Sequence, residues 1–139
     1  MSSKSYVFQS DLPKVGVSLA AISHDSRFAA SKNEMFPNVV FVWDLTKLQL
    51  NSILVQKHEI THLTWCPSQH TATLNVSTGD GKLFLWTERV ASVCQVPVSK
   101  ENFGVQRVHW NPNGKSFAAI DKNNSMVFVY PQVAFFGSE

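Results

Sequence analysis

The chain has 139 residues, 44% of them apolar and 16% charged, with a formal net charge of +2. That balance is ordinary for a globular protein. So small a charge, carried by scattered Lys and Arg, gives no electrostatic footprint for nucleic acid or an anionic membrane, and no apolar run approaches the roughly 18 residues that span a bilayer.

The expected elements are short strands and turns. No segment sustains an i, i+3, i+4, i+7 apolar pattern, whereas β-branched and aromatic runs recur between turn residues. Residues 1–15 include SYVFQ, read as an outer strand of a preceding sheet. Next comes LAAISHDSRFAA, then the long loop SKNEMFPN, in which Pro37 forbids a continued ladder. The strand NVVFVWDL follows, five consecutive apolar residues closed by Trp43-Asp44. In the middle of the chain, strands are expected near 59–65, 71–77, 82–87 and 90–96. STGDGK joins the central pair there, with Asp80-Gly81 taking the positive φ angles of a two-residue turn. Further on, NPNGK turns by the same chemistry at Asn113-Gly114, and MVFVY ends at Tyr130.

These elements repeat. Trp43, Trp86 and Tyr130 close similar runs at intervals of 43 and 44 residues, and Ile22, Trp65 and Trp110 precede them by 21, 21 and 20. A period of 40–45 residues with an aromatic closing a strand belongs to four-stranded propeller blades. A blade is sandwiched between neighbours, so its inner strands are expected to be apolar on both faces. The expected architecture is all-β: about three four-stranded antiparallel blades of an incomplete β-propeller. A leading segment spans 1–15, and the blades span 16–57, 58–103 and 104–139. Closed propellers have about four to eight blades. The expectation is therefore a part of a longer propeller, whose isolated chain aggregates, oligomerises or requires the missing blades.

These residues resemble the WD-repeat family. Trp43-Asp44 matches its signature dipeptide, and Asp80, six residues before Trp86, matches its turn Asp. His58 stands where the family has its Gly-His histidine, although Lys57 replaces the glycine, and Thr78 stands at its Ser/Thr position. The resemblance implies a structural network of His58, Thr78, Asp80 and Trp86, in which a carboxylate orients an imidazole that reaches a hydroxyl and then an indole N–H. Only the middle repeat has the full set. The first lacks the Asp, and the third has Asn124 and Tyr130 in place of Asp and Trp.

A narrower resemblance lies in PKVGVS, in Asn33 followed by FPN, in VWDLTKLQL and in LFLW. These are similar to the C-terminal blades of the centrosomal and spindle-pole WD-repeat family, also called WD-repeat protein eight. That likeness implies a non-catalytic adaptor in the cytoplasm and cytoskeleton, at the centrosome or spindle pole. It would help anchor microtubules and bind a coiled-coil protein through its propeller. The alternatives are a WD-repeat adaptor of another complex, in RNA processing or ubiquitin ligation, and a propeller-scaffold enzyme.

Neither catalysis nor a metal or cofactor is expected. His58, His62 and Cys66 recur every four residues but span a turn and a strand, and tetrahedral zinc needs further ligands. SHD (Ser23 to Asp25) has triad letters, yet triads assemble by geometry and not adjacency. GDGK lacks the spacing of a phosphate loop. With two cysteines, Cys66 and Cys94, and no basic-then-apolar leader, a reducing compartment is the expectation, and the sequons at Asn75 and Asn123 read as chance. The candidate partner-contact loop is Asn33, Glu34, Met35, Phe36 and Pro37, because Met and Phe are unusual on an exposed loop. The alternative is that Phe36 folds back to cap the blade. The polar loop Lys100 to Phe103 is a second candidate.

Overall fold

The computed structural model describes residues 16–67, 72–88, 91–95 and 103–130. The leading segment 1–15 lies outside them. The described residues form eleven strands and no helix, in three antiparallel meanders. The first sheet holds β1 (Val17–Ile22), β2 (Phe28–Asn33), β3 (Val39–Asp44) and β4 (Gln49–Val55). The second holds β5 (His62–Trp65), β6 (Thr73–Ser77), β7 (Lys82–Thr87) and β8 (Ala91–Gln95). The third holds β9 (Arg107–Trp110), β10 (Phe117–Ile120) and β11 (Met126–Val129). In each sheet the strands pair in chain order, the arrangement of a propeller blade.

Local sequence explains the connections. Asn33 ends β2, its side chain accepting the Met35 amide at 2.9 Å, and β3 resumes only after Pro37. In NPNG the Gly114 amide donates to the Asn111 carbonyl at 2.8 Å, and Gly114 alone of that turn takes a positive φ, of 74°. The β6–β7 turn differs from expectation. Positive φ falls on Gly79 (85°) and not on Asp80-Gly81, because the Asp80 carboxylate accepts the Lys82 amide at 3.0 Å and so closes an Asx turn.

Two apolar clusters join the sheets. The first gathers Phe28, Ala30, Val40 and Val42 against Leu63, Trp65, Leu74, Val76 and Trp86. Its centre is aromatic: the Phe28 ring stacks on Trp65 at 6.3 Å and meets Trp86 edge-on at 5.4 Å. The second gathers Leu83 and Leu85 with Phe103, Val105, Val108, Phe117, Ala119 and Val129.

Burial on both faces is found in the middle blade and in the central strand of the third, where every residue of β10 is buried. Every residue of β6 is buried, whereas β3 and β11 alternate. VVFVW and MVFVY are therefore corrected to strands with one open face. Equivalent side chains show the difference. Trp43 is 40% exposed and Trp86 6%, although they occupy matching places opposite Ala29 and Leu74.

Candidate functional site

The loop between β2 and β3 is rigidly tied. Glu34 donates its amide to the Gly16 carbonyl and Phe36 to Asn33, Val39 donates to Phe36, and Ile60 donates to Pro37, all within 3.0 Å. Beneath it the buried Lys32 ammonium donates to the Ile60 carbonyl and to Glu59, each at 2.9 Å, with Glu34 at 3.8 Å. On this base Met35 and Phe36 stand 62% and 52% exposed. Phe36 does not bury itself as a cap. Its ring meets Phe41 edge-on at 6.5 Å, and Phe41 lies 6.4 Å from Trp43, so the loop tip begins an aromatic row across the open face of the first blade. A fixed loop carrying exposed Met and aromatic groups suits contact with an apolar protein segment, because little ordering entropy is lost on binding.

Of the second candidate loop only Phe103 is described, and it is not exposed for contact. Phe103 is buried in the second cluster, and 100–102 lie outside the described residues.

The four residues His58, Thr78, Asp80 and Trp86 do not join. Trp86 pairs across from Leu74, and Thr78 lies four residues further along, about 13 Å away at strand rise. His58 is exposed, Asp80 bonds its own turn, and Trp86 turns into the aromatic cluster. A hydroxyl–indole bond occurs instead in the first blade, where Trp43 Nε1 donates to Ser31 Oγ at 3.1 Å. In the second blade Val76 occupies the place of Ser31 and offers no acceptor.

The remaining blade markers are structural. Asp44 accepts from Thr46 Oγ1 at 2.6 Å and from the Thr46 and Lys47 amides. The Thr46 hydroxyl above all holds its carboxyl below the usual carboxylate range. Trp65 Nε1 donates to the Ala21 carbonyl at 3.0 Å, across the first seam. Trp110 packs edge-on against Phe117, while Ile22 and Tyr130 are exposed.

The residues weighed for catalysis are dispersed or spent on turns. Ser23 Oγ donates directly to Asp25 at 2.6 Å, with His24 exposed and outside that pair. Burial tends to raise the Asp25 carboxyl, but the Ser23 and Arg27 hydrogen bonds and the Arg27 charge outweigh it and leave the carboxyl lowered. His62 is half-buried, and Cys66 is buried with its thiol donating to the Gly114 carbonyl. Among the described residues no three His, Cys, Asp or Glu side chains are grouped to hold a metal ion. A groove of about 400 Å³ between the first two blades includes Ile53, Trp86 and Glu88, and Glu88 is paired with Arg27 at 3.0 Å.

Comparison with known proteins agrees with the blades. The chain is 35% identical over 112 residues to the WD repeat-containing protein WRAP73 of Mus musculus, covering 81% of this chain. The chain belongs to the WD-repeat family. An uncharacterized WD repeat-containing protein of Schizosaccharomyces pombe is 26% identical over 95 residues, covering 62% of this chain. This WD-repeat chain spans 24% and 20% of the length of those two relatives. A WD40 propeller in the crystal structure of the mitotic checkpoint complex superposes with a TM-score of 0.61 at 15% identity, covering 83% of this chain and 36% of that one. That likeness speaks for the fold alone. No family model matches the chain.

Proposed function

We propose that this WD-repeat chain is a non-catalytic protein-interaction scaffold, a centrosomal or spindle-pole adaptor that helps anchor microtubules and binds a coiled-coil protein. The observation that carries the contact surface is the tethered loop Asn33–Pro37, whose Met35 and Phe36 stay exposed above a fastened base. The cellular setting rests on the likeness of PKVGVS, NEMFPN and VWDLTKLQL to the spindle-pole family, while the 35% identity with WRAP73 supports the WD-repeat scaffold alone. A coiled coil presents rows of apolar side chains flanked by charge. Its apolar row suits Met35 and Phe36, and its basic positions suit the exposed carboxylate of Glu59. The test is the position of a fluorescently tagged chain in dividing cells. Concentration at spindle poles is expected; a signal evenly spread through mitosis overturns the reading.

A further inference from the structure

The two seams between blades use matching positions but opposite chemistry. In the first blade Ala21 pairs with Ala30, and Ala30 with Val42. In the second, the same places are held by Thr64, Asn75 and Leu85, and Ser77 stands where the first blade has Lys32. The first seam is apolar at its centre and stitched at its rim. Trp65 Nε1 reaches Ala21, Lys32 reaches Ile60, and Arg27 pairs with Glu88.

The second seam is different. Thr64 Oγ1, both amide atoms of Asn75, Ser77 Oγ and Trp110 Nε1 are buried without a hydrogen-bond partner. Trp110 holds the repeat position of Trp65 yet makes no counterpart of its bond. What closes this seam is the apolar set of Leu83, Leu85, Val105, Val108 and Phe117, with one backbone bond from Val105 to Asp80 at 2.8 Å, a weak thiol bond from Cys66 to Gly114 at 3.4 Å and a hydrogen bond between His62 and the Val108 backbone. A buried polar atom that lacks a protein partner raises the energy of the closed seam, and bulk water satisfies it when the seam opens.

We infer that the seam between the second and third blades is a built-in joint, at which residues 103–130 open as a unit and hydrate Thr64, Asn75, Ser77 and Trp110 while the first seam stays closed. Local opening units of this kind coincide with supersecondary motifs. The third blade is one such motif, and its opening uncovers a strip of alternating polar and leucine side chains on β6 and β7.

Native-state hydrogen exchange of the full chain tests the joint. The first and third blades each have one described neighbour, and strands paired on both sides, β10 in one and β2 and β3 in the other, are the ones to compare. Amides of β10 are expected to exchange at least roughly tenfold more readily than those of β2 and β3, through an opening shared with β9 and β11. Thr64→Val and Ser77→Ala remove unpaired oxygens with little change of shape. Each is expected to slow exchange of the third blade by roughly five- to 150-fold and leave the first blade unaltered. Equal protection of the two blades overturns the inference, as does third-blade exchange that is unchanged or faster in these variants.

Discussion

Replacing Phe28 probes the first seam at its centre. Its ring is fully enclosed, 0% exposed, stacked on Trp65 at an interplanar angle of 15° and edge-on to Trp86 at 82°. Truncating a buried Phe to Ala costs about 3–5 kcal/mol through lost transfer energy and the cavity left behind. Of this, each aromatic pair accounts for about 0.5–1.5 kcal/mol. Phe28→Leu keeps most of the volume and loses both ring contacts, so about 1–2 kcal/mol is expected. Against a total stability of about 5–15 kcal/mol, Phe28→Ala removes a large share. Urea unfolding followed by tryptophan fluorescence reads both variants, since Trp65 and Trp86 report from the same cluster. A loss below about 1 kcal/mol for Phe28→Ala would refute the claim that this cluster holds the first two blades together.

Three further outcomes are expected. Asp80→Ala should lower the unfolding free energy by less than about 1 kcal/mol, because the Asp80 side chain supports its own turn; a loss of 3 kcal/mol or more would restore the four-residue network. Burial chiefly, with the nearby His109 and Arg107 charges, lowers the His62 pKa, against a hydrogen bond to the Val108 backbone that raises it. The unfolded chain then takes up this proton first, so stability should be flat above about pH 6.5 and fall as pH drops below it, less steeply in His62→Gln; identical profiles would remove His62 from the account. The open face of the first blade, with exposed Val17, Ile22, Trp43, Ile53 and Val55, should make the chain self-associate in sedimentation velocity, and Trp43→Lys with Ile53→Lys should reduce it; a wild-type monomer at micromolar concentration contradicts this.

The repeat made the blades legible from sequence. Two aromatic markers at a fixed spacing locate β5, β6, β7 and β8 to within a few residues, because each blade solves the same packing problem. Which faces stay open was not legible in VVFVW or MVFVY, since the same run serves a blade with two neighbours or with one. The network around Thr78 failed for a register reason. Spacing along the chain places Thr78 and Trp86 eight residues apart, but only the ladder shows that Trp86 faces Leu74. Ser31 and Trp43 had the needed geometry, and the signal was a hydroxyl two residues beyond the partner of the Trp. The buried polar row at Thr64, Asn75 and Ser77 left a trace too, as alternate polar letters in HLTW and TLNVS, where an inner strand was expected to be apolar throughout.

The scaffold reading is tested most directly by quantitative pull-down from dividing cells, comparing the wild-type chain with a Met35→Ser, Phe36→Ser variant of matched stability. Coiled-coil spindle-pole proteins are expected to be enriched on the wild type and depleted on the variant. Wild-type captures without such proteins, or equal enrichment on both chains, would contradict it.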